Sequence, residues 1–159
     1  MEVQFKEMPA FHMVGYPSLL RQSNAQEWIP MLWDKIIATQ GEIKNQTNPP
    51  QCLGFEFFPF NFPETKLFYY MPAFTVNDLS DVPLMMCGKS IPAGLYAVFT
   101  HKGPSSTIAQ TFETIYLEWL PHSDYEFRFG YDFELYDHRF KGMDESSELD
   151  IYVPVKKKG

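Results

Sequence analysis

Gly54-Phe55-Glu56-Phe57-Phe58 and Asp132-Phe133-Glu134-Leu135-Tyr136 are two versions of one phrase, a glutamate set among rings and aliphatic side chains. Alternate side chains of a β-strand point to opposite faces. Phe133 and Leu135 are therefore expected on a core face, with Glu134 and Tyr136 on the other. On alternation alone, Glu134 reads as an exposed glutamate on the solvated side of a sheet. A carboxylate among aromatic rings is costly unless it is paired or wet. That cost makes Glu134 a candidate for holding a cationic ligand or for acid–base chemistry.

Outward from these strands, the chain repeats itself. Val14 falls on Val98, Ala25-Gln26 on Ala109-Gln110, Trp28 on Phe112, Leu32 on Tyr116 and Asp34 on Glu118, all at one offset, 98 − 14 = 84. The two glutamates are 134 − 56 = 78 apart, and Tyr70-Met71-Pro72 falls on Tyr152-Val153-Pro154 at 152 − 70 = 82. Each half reads strand, helix, strand, strand. The expected fold is α+β: duplicated βαββ units with antiparallel sheets, two main helices on one side, and a ligand cleft between the halves. The halves are expected at about 1–78 and 88–155 with a linker at about 79–87, inside a single domain spanning 1–159, because either half alone is small for an independent core.

In the first half, strands are expected at 11–16, 52–58 and 66–76. A helix is expected from Asn24, where Asn24-Ala25-Gln26-Glu27 fits a capping box, or from nearer Trp28, since Pro30 conflicts with an unbroken helix. Trp28, Leu32, Ile36 and Ile29, Trp33, Ile37 recur at helical spacing, and Gly41 is a natural stop. In the second half, a strand at 94–101 leads to a helix at 106–120. Ser105 or Ser106 caps this helix, Pro121 stops it, and Ile108, Phe112, Ile115 and Trp119 form its core stripe. Strands at 125–138 and 148–155 complete the copy. Alternation in the last strand separates Asp150 and Tyr152 from Leu149, Ile151, Val153 and Val155. Glu134, Tyr136 and Tyr152 are thus expected to look out from one side, with Glu56 and Tyr70 as their counterparts. Side by side, the halves would share a groove with two carboxylates and several rings.

Composition bounds the function. The 159 residues hold 45% hydrophobic and 17% aromatic residues, with 15 Phe and 9 Tyr, which suits a β-rich fold or an aromatic pocket. The net charge of −7 and the scatter of the basic residues argue against direct nucleic-acid binding, which needs a clustered positive surface. Cys52 and Cys87 stand far apart, and the four histidines are dispersed. Neither a disulfide framework nor a metal spacing is legible, and no metal or other cofactor is expected. No stretch is apolar for the roughly 18 residues a membrane span needs, and the start lacks a signal-peptide pattern. The expected location is cytoplasmic.

Five segments, in order, resemble one bacterial family. They are Ile91-Pro92-Ala93-Gly94-Leu95-Tyr96-Ala97-Val98-Phe99, His101-Lys102-Gly103-Pro104, Tyr116-Leu117-Glu118-Trp119-Leu120-Pro121, Phe133-Glu134-Leu135-Tyr136 and Asp150-Ile151-Tyr152-Val153-Pro154-Val155. Together they resemble the GyrI-like, or AraC-type effector-binding, domain. The resemblance covers essentially the whole chain. It implies paired βαββ units and a cleft that binds small organic molecules, often lipophilic cations, as in multidrug binding. Glu134 matches the family's acidic residue. Tyr136, Tyr152, Tyr96, Trp119, Phe112, Glu56 and Tyr70 are the candidate walls, although Phe112 and Trp119 also lie on the helix's core stripe. Many relatives carry a DNA-binding region, for which the resemblance leaves no room here. The expectation is thus a stand-alone binder for drug or toxin sequestration or sensing. A second reading is a hydrolase of strained toxin-like molecules, with Glu134 as general acid or base and Tyr152 polarising the substrate. A third is a protein-partner regulator of the gyrase-inhibitor type.

Overall fold

The computed structural model describes residues 1–159. In chain order the elements are β1 (Val3–Met8), β2 (Phe11–Gly15), β3 (Ser18–Arg21), α1 (Ala25–Thr39), β4 (Cys52–Phe57), α2 (Phe62–Thr65), β5 (Leu67–Val76), β6 (Cys87–Ile91) and β7 (Gly94–Lys102). They continue with α3 (Ile108–Glu113), a π-helical turn (Thr114–Trp119), α4 (Leu120–His122), β8 (Tyr125–Phe127), β9 (Tyr131–Tyr136) and β10 (Glu148–Lys157). The fold is α+β, built on one antiparallel sheet in the order β1-β7-β10-β9-β4-β5-β2-β6. β3 extends the β2 edge along β5, and β8 pairs with the far end of β10.

The two aromatic phrases lie side by side at the centre of this sheet. β4 pairs with β9, and Phe55 stands directly opposite Phe133. These residues are also 133 − 55 = 78 apart, the spacing of the two glutamates, so a pseudo-two-fold axis passes through the Phe55–Phe133 pair. Around it, each half borrows a strand. β1 precedes the first half but pairs with β7, while β6 precedes the second half but pairs with β2. Met8 connects to Phe11 through Pro9-Ala10, and Ile91 to Gly94 through Pro92-Ala93. Three chain steps reach at most about 11 Å, yet β1 and β2 stand near opposite ends of the sheet order. The sheet must therefore curl to bring its edges together.

The two faces differ. One carries Met13, Leu53, Phe55, Met71, Tyr96, Phe133 and Tyr152, all buried, with Met8 and Phe11 packed against them. The other carries the helices. Ile36 of α1 packs on Val14, Phe74 and Val76, and Ile115 of the π-turn packs on Phe99, Ile151 and Val153. Burial of these side chains supplies the main drive to dock each helix.

Several local expectations are corrected. Asn24 does precede α1, but it makes no side-chain cap hydrogen bond, so the capping box does not form. The helix runs through Pro30, which is exposed, so the carbonyl it leaves without an amide can be hydrated. The inward face of α1 is Ile29, Leu32, Trp33 and Ile36, while Trp28 and Ile37 are exposed. Ser105 and Ser106 cap nothing. The second helix contains a π-helical turn, yet Ile108, Phe112, Ile115 and Trp119 line its core as expected. The 125–138 strand is two strands, separated at Arg128-Phe129-Gly130, where Phe129 and Gly130 both have positive φ. β1, β3 and β6 were not legible as strands.

Candidate functional site

Glu134 sits on β9 directly opposite Gly54, and Asp132 sits opposite Glu56 on β4. Paired residues of an antiparallel ladder share a face. Three carboxylates thus meet on the helix side of the central strand pair. They are nearly sealed from solvent, with relative exposures of 0% for Asp132, 4% for Glu134 and 9% for Glu56.

The hydroxyl donors come from the surrounding elements. Tyr70 of β5 and Tyr136 of β9 both donate to Glu134 Oε2, at 3.2 and 2.6 Å. Trp33 of α1 donates its Nε1–H to the Tyr70 hydroxyl at 2.9 Å, which orients Tyr70 toward the carboxylate. The Trp33 ring lies 4.8 Å from that of Tyr136, and Phe140 covers the same tyrosine at 4.7 Å. Tyr116 of the π-turn donates to Asp132 Oδ2. Phe112 stacks on Tyr116, and Phe58 meets the Tyr116 ring edge-on. Asp132 Oδ1 is fully buried and has no partner. Glycine at position 54 makes the arrangement fit. A Cβ there would lie 2.5 Å from both Glu134 Oε2 and the Tyr70 hydroxyl.

No lysine, arginine or histidine hydrogen-bonds or ion-pairs with these acids. Burial favours their neutral forms. It pushes Glu134 up to about 7 against the hydrogen bonds from Tyr136 and Tyr70, which lower it. Asp132 is pushed up to about 8 by burial, with the Tyr116 hydrogen bond opposing and Glu134 adding to the rise. Glu56 is raised well above the usual carboxylate range by burial and then by Asp132 and Glu134. Tyr70, Tyr116 and Tyr136 are raised by burial too, so they stay protonated donors.

The structure brings together Glu134, Tyr136, Glu56 and Tyr70. Phe112 sits at the border through its stack on Tyr116, and Trp119 packs into the core between Phe5 and Phe99. Tyr152 and Tyr96 are corrections, since they lie on the opposite face. Tyr152 pairs with Phe133, stacks on it at 4.8 Å and accepts a hydrogen bond from Lys6; Tyr96 bonds Tyr131. Alternation separates Tyr152 from Ile151 correctly, but both faces of the sheet are buried and it is the Ile151 side that lies under the π-turn; the repeat also slips by one residue. Tyr70 stands opposite Glu56, whereas Ile151 stands opposite Glu134, so Ile151 is the structural counterpart of Tyr70. A one-residue shift moves a side chain through the sheet. The hydrolytic pair of Glu134 and Tyr152 is therefore not assembled. Asp132, Tyr116 and Trp33 were missed. Alternation alone places Asp132 on the face of Glu134; nothing in the sequence marks Tyr116 or Trp33 as donors.

Buried acids framed by hydroxyls and aromatic rings between two helices suit a small-molecule-binding domain. The profile of the GyrI-like small molecule binding domain matches residues 1–156, and the chain belongs to that family. The transcriptional regulator BrlR of Pseudomonas aeruginosa is 35% identical over 156 residues, which are 98% of this chain and 56% of that protein. The chain thus spans about half the length of this curated relative. Among solved structures, SAV2435 bound to tetraphenylphosphonium superposes with a TM-score of 0.76 at 20% identity, over 98% of this chain and 94% of that one. EcmrR in a DNA complex gives 0.72 at 19% identity, over 99% of this chain and 58% of that one. A Listeria innocua hydrolase gives 0.56 at 11% identity, over 98% and 92%. These likenesses show a common fold. No helix is long and apolar enough to cross a membrane.

Proposed function

We propose that this chain binds lipophilic organic cations between α1 and the π-turn, with Glu134 as the central charge partner. One observation carries the reading: three buried carboxylates share a face without a basic side chain to balance them. Burial holds them toward their neutral forms, because ionising them without a partner is among the costliest things a fold can do. A bound cation removes that cost, and the rings of Trp33, Tyr136 and Tyr116 supply faces that attract cations. Tetraphenylphosphonium, which SAV2435 binds, is the natural first probe. In titration calorimetry it should bind the chain, and Glu134→Gln should weaken binding at least tenfold, which is about 1.4 kcal/mol or more. Equal affinity in the variant would remove Glu134 from its central role.

A further inference from the structure

The hydrogen-bond inventory of the three acids is lopsided. Of their six carboxylate oxygens, only Glu134 Oε2 and Asp132 Oδ2 accept hydrogen bonds, the first from Tyr70 and Tyr136 and the second from Tyr116. Glu56 accepts none, although it stands directly opposite Asp132. Asp132 Oδ1 is completely buried and unpartnered, a condition that native interiors seldom tolerate. Once ionised, the cluster lacks hydrogen-bond donors as well as positive charge.

The geometry groups these acceptors. Side chains directly opposite on antiparallel strands lie about 5 Å apart, so Glu56 and Asp132 form a pair. Residues two apart on one strand are about 7 Å apart, which puts Glu134 next to that pair on the same face. The pseudo-two-fold axis relates Glu56 to Glu134, but their surroundings differ. Glu134 faces Gly54 and two tyrosine hydroxyls, whereas Glu56 faces Asp132. The first acid is oriented by its neighbours; the second pair has acceptors to spare.

We infer that Glu56 and Asp132 form a second binding position beside Glu134, and that the ligand is a cation bearing N–H donors: a protonated amine, an amidinium or a guanidinium. This rests on the cation-binding reading above and narrows its chemistry. An ammonium or amidinium brings two or more N–H groups on one charged centre, enough to reach Asp132 Oδ1 and Glu56 while Glu134 shares the charge. A quaternary onium brings charge without donors and leaves the orphan oxygen as it is. Sites built to hydrogen-bond a group reject analogues that lack it far more strongly than apolar pockets reject a size change.

The test is a matched pair of probes, biphenyl-4-ylmethylammonium and its N,N,N-trimethyl derivative, titrated calorimetrically into the whole chain. The ammonium should bind at least about tenfold more tightly than the trimethyl compound. Glu56→Gln and Asp132→Asn should each cut that ratio to roughly threefold or less, because they act on the donor-accepting position. Glu134→Gln should instead weaken both probes together. Thermal unfolding checks that each variant folds, and the wild-type ratio tests the inference without any variant. Equal or tighter binding of the trimethyl probe by the wild type would overturn the donor requirement and leave the cation-binding reading standing. Failure of both probes to bind would overturn both.

Discussion

At the scale of single residues, Gly54 decides how the acids are held. An added Cβ would sit 2.5 Å from Glu134 Oε2 and 2.5 Å from the Tyr70 hydroxyl. Neither atom has room to retreat at little cost. Tyr70 is fully buried and tied to Trp33, and Glu134 is pinned by Tyr136. Gly54→Ala should therefore separate Tyr70 from Glu134 and cost about 1–3 kcal/mol of stability, the usual toll for overpacking. Its distinguishing effect is on binding: affinity for a cationic probe should fall by more than about tenfold while the far-ultraviolet circular dichroism stays that of the wild type. A variant that binds as tightly as the wild type would show that the Tyr70–Glu134 contact does not shape the site.

At the scale of elements, the central strands were legible and their edges were not. The phrase around Glu134 gave a strand, a face and a candidate acid, because five residues of clean alternation specify all three. The core stripe Ile108, Phe112, Ile115, Trp119 was legible for the same reason at helical spacing. β3 was hidden by its four-residue length, and β1 and β6 by their weak alternation and by partners in the other half. Tyr152 falls on the other face because alternation separates the two sides of β10 but cannot tell which side joins the acids when both faces are buried: Leu149, Ile151 and Val153 pack under the helices, while Phe133 of β9 packs on the opposite face with Tyr152. Trp33 and Tyr116 belong to the site through hydroxyl and indole contacts that no spacing encodes. One glycine marks how tightly the elements approach. Gly15 stands opposite Ala73, and a Cβ there would meet the Pro72 carbonyl oxygen at 2.1 Å and the Ala73 Cα at 2.9 Å. Backbone cannot swing aside as a side-chain end can. Gly15→Ala should push β2 from β5 and cost more than about 2 kcal/mol, read as a lowered urea midpoint. An unchanged midpoint would mean that this strand pair yields more easily than its packing implies.

At the scale of the whole molecule, the acid cluster sets how stability and binding respond to pH. Asp132 is held at about 8, Glu134 at about 7 and Glu56 well above the usual range, all chiefly by burial. Unfolded, each would titrate near 4. The groups facing them from β5, the π-turn and β9 are Tyr70, Tyr116 and Tyr136, which stay protonated through neutral pH. Between about pH 4 and pH 8 the folded chain thus binds more protons than the unfolded one, and by linkage its stability falls as pH rises. The surface carboxylates of Asp78, Asp137 and Asp144 are shifted the opposite way, so their contribution is lost only at more acid pH. Without ligand, the melting temperature should therefore decline from about pH 5 to about pH 8. The triple variant Glu56→Gln, Asp132→Asn, Glu134→Gln should flatten that decline. A cation that takes the place of the protons should reverse its consequence. Its affinity should rise with pH over the same interval, and the increase in melting temperature at saturating probe should be larger at about pH 8 than at about pH 5. Stability that is flat or rising over this interval in the ligand-free chain would mean that the three acids are already ionised, and that the fold carries their charge by some means other than protons.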